Sequence, residues 1–235
     1  DIFFRDNYAY IVCDADEFSP AGLYILDVSN PFLPKEISYF ILGNEGWNVW
    51  VQGDYAYVTC GHKGLDILNI SNPAFPKKLA SVFVKDEAQN IFIKNNYAYI
   101  ACDGGGTYII DISNPLLPKK ISRFAVSDEA VGVFIKNNYA YMVCGKAGLR
   151  ILDVANPSSP REISRFSFNV EALDIFIKDN YAYVACDYGG VYILDISNPF
   201  FPEETAHFTT IDKAVSIFIK DNYAYVVCDK SGLLI

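Results

Sequence analysis

The sequence predicts an all-β fold, a six-bladed β-propeller built from four-stranded antiparallel blades, and three observations lead to this prediction. One segment, VFIKNNYAYMVCGKAGLRILDVANP at residues 133–157, begins six times in 235 residues. The first Tyr of each copy follows the previous one by 47 residues once and by 42 residues four times, a period typical of solenoids and propellers. Each copy is rich in short runs of β-branched and aromatic residues, and no part of it has a helical pattern.

The third copy illustrates the four strands that we expect in each period. The first two are Ile91–Lys94 and Tyr97–Cys102, and the second is apolar on both faces, as expected for a strand between neighbouring sheets. A Gly-rich turn leads to the third strand, Thr107–Ile112, which ends at an Asn-Pro sequence because Pro cannot donate to a β-ladder. The fourth strand, Lys119–Val126, carries polar and basic residues, which suits an exposed edge.

Radial stacking of the copies gives each sheet a partner for both of its apolar faces, which a single sheet lacks. We therefore expect residues 1–235 to form one propeller domain. The first copy carries five extra residues in the loop between its second and third strands. The last copy stops within its third strand, so the sixth blade is expected to be incomplete in this chain.

The composition argues against a nucleic-acid partner and against a transmembrane segment. A net charge of −9, with acidic residues spread along the chain, argues against nucleic acid, which requires clustered Lys and Arg. No apolar run approaches the roughly 18 residues that span a bilayer, so no transmembrane segment is expected in this chain.

The six cysteines occupy the same place in successive copies. Their neighbours in the ring would lie about 11 Å apart, beyond the roughly 7 Å between Cα atoms that a disulfide allows. We therefore expect free, mostly buried thiols, which favour a reducing compartment such as the cytoplasm. Because the sequence has no CxxC pair, it gives no sign of a zinc or redox site.

The third-strand motif carries a family resemblance. The sequence LYILDVSNP at residues 23–31 recurs four times with small departures, among them Asn69 for the motif Asp and Ala155 for Ser. Together with the preceding Tyr-Ala-Tyr strand, this motif resembles the LVIVD-repeat family of β-propellers. The resemblance implies a module of a larger secreted or cell-surface protein, hence an extracellular or surface location. It implies no catalytic residues.

One recurrent acid has a structural interpretation and a functional one. Asp27, Asp111, Asp153 and Asp195 each stand three residues before the Asn-Pro sequence. A carboxylate there can accept backbone N–H groups of the following turn, which explains its recurrence without a ligand. The alternative is a metal-binding or acid role.

A second set of polar residues is predicted to line one mouth of the central channel. Its acids precede the first strands, and its other members follow three residues later, nearer the axis. The set consists of Glu45, Glu87, Glu129, Glu171, Asn48, Asn90 and Asp174. Such a group creates a negative potential that attracts a basic partner or a divalent cation on the axis. The alternative is a set of solvated loop acids.

Three features break the repeat symmetry near the same mouth. The longer loop of the first copy contains Asp16, Glu17 and Phe18, which form a candidate partner contact or reflect loop drift. His62 lies on a turn and provides weak evidence for a metal or for catalysis. Trp47 replaces smaller residues of the other copies, so it stacks on a sugar or aromatic ligand or packs in the core.

These observations favour a non-catalytic binding scaffold with a protein or carbohydrate partner. The sequence shows no nucleophile–base pair and no phosphate-binding loop. No cofactor is expected, apart from a divalent cation on the channel axis. Two other roles remain open: a propeller that does chemistry on a bound cation or small ligand, and a structural module of a surface array.

Overall fold

The computed structural model describes residues 1–15, 20–43, 45–126 and 128–235, and all regular elements in these ranges are β-strands. The strands, in chain order, are β1 (Ile2–Arg5), β2 (Tyr8–Cys13), β3 (Gly22–Asp27), β4 (Lys35–Ile41), β5 (Asn48–Gln52), β6 (Tyr55–Thr59), β7 (Leu65–Asn69), β8 (Lys77–Val82), β9 (Glu87–Lys94), β10 (Tyr97–Asp103), β11 (Gly106–Asp111), β12 (Lys119–Phe124), β13 (Gly132–Lys136), β14 (Tyr139–Cys144), β15 (Gly148–Asp153), β16 (Arg161–Phe166), β17 (Asp174–Lys178), β18 (Tyr181–Cys186), β19 (Gly190–Asp195), β20 (Glu203–Phe208), β21 (Ala214–Lys220), β22 (Tyr223–Cys228) and β23 (Gly232–Leu234).

These strands form six sheets, sheets 1 to 6 in chain order, and confirm the predicted six-bladed β-propeller fold. In every sheet the strands lie side by side in the order of the sequence. Within the described residues, sheets 1 to 5 have four strands each, and sheet 6 has three, β21 to β23. The incomplete sixth blade was therefore predicted correctly.

The turn between the first and second strands explains why each copy starts as a hairpin. In sheet 4, Lys136 pairs with Tyr139 across a two-residue turn. The first residue of that turn, Asn137, has a φ of 52°, and Asn95 in sheet 3 has a φ of 54°. Asn and Asp tolerate this left-handed conformation, which two-residue hairpins require.

The turn after the third strand is held by the two polar residues that the sequence marks. The Asp27 carboxylate accepts the N–H of Ser29 at 2.9 Å, and Asp111, Asp153 and Asp195 make the equivalent bond. The Asn30 side chain then accepts the N–H of Phe32 at 3.1 Å. Hydrogen bonds from Ser29 lower the pKa of Asp27. The structural interpretation of the recurrent acids is confirmed.

Two strand boundaries differ from the prediction by more than one residue, whereas the end of β10 and both ends of β11 differ by one. β9 begins at Glu87 rather than Ile91, because the N–H of Ala88 bonds the Gly61 carbonyl at 3.0 Å and keeps this segment extended. β12 ends at Phe124 rather than Val126. A β-bulge in the pairing of third and fourth strands, as between Ile151 and Leu152 in sheet 4, was not predicted.

The chain divides into two compact units. The first consists of Asp1–Cys102 and Tyr108–Ile121, and the second of Asp103–Thr107 and Ser122–Ile235, so the boundary crosses sheet 3. In each unit the second and third strands of one sheet pack on the first strand of the next. The first unit buries Leu23 and Ile25 against Val49 in this way. The second buries Tyr141 and Leu149 against Ile175.

All six cysteines are free thiols, and five are buried, as the sequence predicted. They lie at or beside the ends of the second strands. Burial raises the pKa of Cys60 and Cys144 to about 12. Such thiols are almost entirely protonated and unreactive at neutral pH.

Candidate functional site

The candidate site lies at the end of the sheets where second strands finish and first strands begin. In sheet 4, Gly132 at the start of β13 pairs with Val143 near the end of β14, and Cys144 pairs with Gly148 across the next turn. We call this the acidic end. It comprises the turns between second and third strands and the segments that precede the first strands.

Among the described residues of the first unit, one basic side chain at the acidic end approaches an acidic side chain of the neighbouring sheet. His62, on the turn of sheet 2, approaches Glu87 of β9 with 3.8 Å between Nε2 and Oε2. The His62 side chain is exposed, so this pair is screened by solvent and stabilises little. Glu45 is half-buried and lines a cleft of about 420 Å³ with Leu42 and Asp14.

In the second unit, Lys146 occupies the position that His62 has in its turn. It pairs with Glu171, which lies in the segment before β17. Lys146 Nζ lies 3.2 Å from Glu171 Oε1. One sheet further on the charges are reversed, because Lys213 Nζ lies 3.2 Å from Asp187 Oδ1. Lys146, Glu171 and Asp187 also line a cleft of about 480 Å³ whose apolar wall is Phe168 and Val170.

Glu129 departs from this pattern. Gly104 stands where His62 and Lys146 provide a basic side chain in their sheets, and the described residues contain no ion-pair partner for Glu129. The neighbouring Asp103 carboxylate is the largest cause of a raised Glu129 pKa, with smaller contributions from desolvation, Asp128 and Glu171, while Lys146 lowers it. Unbalanced negative charge therefore collects at this exposed carboxylate.

The polar residues expected nearer the axis connect neighbouring sheets. In the first unit, the Asn48 side chain accepts the N–H of Ile91 at 3.3 Å, and the Asp1 carboxylate at the equivalent position accepts the N–H of Val49 at 3.0 Å. Asn90 occupies the same position at the start of sheet 3. These side chains replace backbone partners at the ends of the sheets and thereby fix the position of the next first strand.

Asp174 makes the same kind of connection in the second unit and one more besides. Its Oδ2 accepts the N–H of Ile217 at 2.9 Å and the Ser216 hydroxyl at 2.7 Å. Its Oδ1 accepts the N–H of Ile175 at 2.8 Å, because Gly132 has no side chain that could do so. Desolvation is the largest effect on this carboxyl and raises its pKa.

The symmetry-breaking residues have mixed outcomes. Trp47 is 43% exposed, so the core-packing alternative for it was wrong and its indole is accessible at the acidic end. Asp16, Glu17 and Phe18 lie outside the described residues. Among the residues that are described, no three His, Cys, Asp or Glu side chains are grouped so that they could hold a metal ion.

A set of exposed apolar residues at the other end of the sheets was not predicted from the sequence. They lie between the two prolines of the turn after the third strand in sheets 1, 2, 3 and 5. The large ones are Phe32, Leu33, Phe75, Leu116, Leu117, Phe200 and Phe201. The signal available in the sequence for this exposed set was a pair of residues, at least one of them large and apolar, in a turn bounded by prolines. The described parts of the chain contain no helix with the length and apolar character needed to cross a membrane.

Comparisons with known proteins agree with the repeat pattern. The family model described as "LVIVD repeat" matches six segments of the chain, residues 1–40, 43–83, 86–125, 128–167, 171–210 and 212–235. No curated protein sequence matches the chain.

Solved structures that are similar in fold include three crystal structures. A functionally unknown protein from Desulfotomaculum acetoxidans DSM 771 is 15% identical, with a TM-score of 0.75 over 95% of this chain and 73% of that one. The computationally designed Ika8 protein is 10% identical, with a TM-score of 0.74 over 97% of this chain and 67% of that one. The designed Ika4 protein is 10% identical, with a TM-score of 0.56 over 66% of this chain and 92% of that one. At these identities the likeness concerns the fold alone.

Proposed function

The chain belongs to the LVIVD-repeat family, and from that premise we propose that it is a non-catalytic binding scaffold whose binding face is the acidic end. The residues that recur in every copy build turns and pack between sheets. The charges at the acidic end change from one copy to the next, as they do at positions 62, 104 and 146. Variable side chains on a repeated frame are the usual way in which such scaffolds acquire a specific partner.

The observation that carries this proposal is the unbalanced charge at Glu129. At this end Glu171 pairs with Lys146, Asp187 pairs with Lys213, and Glu87 lies beside His62. At Glu129 the largest influence is the Asp103 carboxylate, and this carboxylate together with Asp128 and Glu171 raises its pKa against the smaller, opposite effect of Lys146. A lysine or arginine brought by a partner would relieve this repulsion, so the expected partner is a protein segment with basic side chains.

The affinity of this contact is expected to come from several charges together. An exposed ion pair contributes about 0–1 kcal/mol, so one lysine at Glu129 gives about a fivefold gain at most. A basic segment that also reaches Asp103 and Asp128 multiplies this gain. Trp47 adds an exposed aromatic surface at the acidic end of the first unit.

Calorimetric titration with a hexalysine peptide at low salt tests the location. We expect the Glu129→Gln variant to bind the peptide about fivefold more weakly than the wild type. Glu203→Gln is the matched control, because Glu203 is an exposed carboxylate at the other end of its sheet. There its backbone lies opposite Asp195 in the pairing of β19 and β20. Equal losses in the two variants would show non-specific attraction and contradict the proposed face.

A divalent cation at the same carboxylates is the alternative, and it carries the remaining possibility of an enzymatic role. Glu129 lies within electrostatic reach of Asp103 and Asp128, which is the feature that favours it. Calcium chloride titrated in place of the peptide separates the two. Saturable binding that is lost in Glu129→Gln would replace the basic partner with a cation.

We also propose an extracellular or cell-surface setting, in a larger protein, with the cytoplasm as the alternative. Buried thiols with a raised pKa resist oxidation, so free cysteines are compatible with an oxidising compartment. Detection of the native protein in the surface fraction or in the cytosolic fraction of its source cells distinguishes the two settings.

A further inference from the structure

The turns after the third strands in the first unit expose large apolar side chains. We call these residues the turn tips: Phe32, Leu33, Phe75, Leu116 and Leu117. Between 60% and 90% of each side chain is exposed to solvent. Single exposed apolar residues are ordinary on protein surfaces, but a repeated set at one end of successive sheets indicates an interaction surface.

The turn itself does not require apolar residues at its tip. In sheet 3 the N–H of Leu117 bonds the Asn114 carbonyl at 2.9 Å, and the N–H of Leu116 bonds the Asn114 side chain at 3.1 Å. Sheet 4 carries Ser158 and Ser159 instead and makes the same two bonds to Asn156, at 3.2 and 2.9 Å. Solubility would favour serine, so the apolar tips of the first unit need another explanation.

Lysines follow the turn tips only in the first unit. The sequences after the second proline begin with Lys35 in sheet 1, Lys77-Lys78 in sheet 2 and Lys119-Lys120 in sheet 3. All five lysines are exposed, and Lys78 pairs with the buried Asp66 at 2.7 Å. In the second unit, Phe200 and Phe201 are followed by Glu203 and Glu204. The first unit therefore combines apolar tips with positive charge, although the whole chain has a net charge of −9.

The turn of sheet 2 also provides a polar cleft of the matching charge. A cleft of about 380 Å³ is lined by Phe75, Lys77, Asn69, Ser71 and Asn72. Asn69 stands where the other copies have Asp, so this turn lacks the carboxylate that would repel an anion. The cleft therefore suits a phosphate group of a lipid headgroup.

We propose that the turn tips and their lysines form a docking surface for an anionic lipid bilayer. Phe and Leu side chains enter the boundary between headgroups and acyl chains, and the adjoining lysines remain at the level of the headgroups. Each lysine near an anionic surface strengthens binding by about fivefold, so the positive charge decides which membranes are bound. The Ser38 hydroxyl bonds the Pro73 carbonyl at 2.6 Å, which fixes the turn of sheet 2 to sheet 1.

Co-sedimentation with vesicles tests the proposal. The wild type should bind phosphatidylcholine vesicles that contain about 30% phosphatidylserine and should not bind vesicles of phosphatidylcholine alone. Replacing all five turn tips by Ser, the residue of the sheet 4 turn, should weaken binding by about tenfold or more. Phe200→Ser with Phe201→Ser is the matched control and should bind like the wild type. Lys77→Glu with Lys119→Glu should weaken binding more at low salt than at high salt.

A single substitution gives a readout that does not depend on the multiple variant. With anionic vesicles, the fluorescence of Phe75→Trp should shift to the blue, whereas that of Phe201→Trp should not. The proposal is overturned if the wild type ignores anionic vesicles, if it binds neutral vesicles equally well, or if the five-fold Ser variant binds as tightly as the wild type. The same holds if Phe75→Trp shows no shift, and in each case a protein partner becomes the better explanation of the turn tips.

Discussion

Asp174 shows how a missing side chain changes the role of its neighbour. In the first unit the acceptor for Ile91 comes from Asn48 of the preceding sheet. Gly132 cannot act in this way, so Asp174 accepts the N–H of Ile175 itself and also bonds two donors of sheet 6. The partly buried carboxylate accepts three hydrogen bonds, yet desolvation still raises its pKa.

We expect Asp174→Ala to lower the free energy of unfolding by about 2–4 kcal/mol, because it leaves two backbone N–H groups and one hydroxyl without their acceptor. Ser216→Ala removes one of these donors and should cost about 1 kcal/mol or less. Urea denaturation of the three proteins at several pH values measures both effects.

The pH dependence of this difference has a definite sign. Folding raises the pKa of Asp174, so protonation of this carboxyl stabilises the folded state. This stabilisation is fully present below about pH 4, the usual pKa of Asp in an unfolded chain, and is lost as pH rises through the folded-state pKa. The difference in the free energy of unfolding between wild type and Asp174→Ala should therefore become smaller as pH rises. A gap that widens instead would mean that the hydrogen bonds outweigh desolvation.

Part of this arrangement was predictable from the repeats. The alignment of copies placed Asn48, Asn90 and Asp174 at one position near the axis. It did not reveal that Asp1, Asn48 and Asp174 accept backbone N–H groups of a neighbouring sheet, because that contact spans two copies. The unmatched charge at Glu129 depends in the same way on Gly104 of the preceding copy.

At the scale of the strand, the glycine that begins the third strand sets how closely the fourth strand approaches. Gly148 has a φ of 78°, and an added Cβ would lie 2.3 Å from the Phe166 carbonyl oxygen of β16. Gly64 and Gly190 have the same conformation and the same conflict. Gly232 shares the conformation, with a φ of 72°, but an added Cβ there meets no atom within 4 Å.

Gly148→Ala is therefore expected to lower the free energy of unfolding by about 3 kcal/mol, since it combines left-handed strain with a backbone clash. Gly232→Ala should cost about 1 kcal/mol, because it has the strain without the clash. Thermal or urea denaturation measures the difference between the two. Equal losses would show that the conformation, and not the approach of the fourth strand, determines the cost.

Strand positions were predictable because runs of β-branched and aromatic residues and the turns between them recur in each copy, but two features of the strands were not. The bulge in the pairing of the third and fourth strands of one sheet leaves no residue signature in the sequence. The exposed turn tips were missed because Asn-Pro-x-x-Pro was interpreted only as an end to the strand. Their apolar side chains are unrelated to the hydrogen bonds that form the turn.

Across the whole molecule, one cysteine per sheet reports on the packing of that sheet. Cys13 is partly exposed, and the other five thiols are buried. With a pKa of about 12, Cys60 and Cys144 have a thiolate fraction of about one in ten thousand at pH 8. The fold class and the free thiols were both predicted from the period of the sequence. The period indicated a propeller, and it assigned the cysteines to equal positions in different sheets, where disulfides were not expected.

We expect a dithiobisnitrobenzoate assay of the native protein at pH 8 to show one fast thiol, Cys13, and five slow ones. Cys13→Ser should remove the fast phase, and denaturant should make all remaining thiols react at once. More than one fast thiol in the native protein would indicate that a sheet opens without global unfolding.

The side-by-side order of strands within each sheet has a consequence for the order of assembly. Neighbouring strands are joined by short connections, such as the two-residue turn between Lys136 and Tyr139. The contact between Asp174 and Ile217 spans 43 residues. Closing the 43-residue segment between two sheets costs about 1 kcal/mol more in entropy than closing a 12-residue loop, so local pairing is favoured. Each sheet can therefore form from local pairing before it meets the next one, and the chain gains structure in the direction in which it is synthesised.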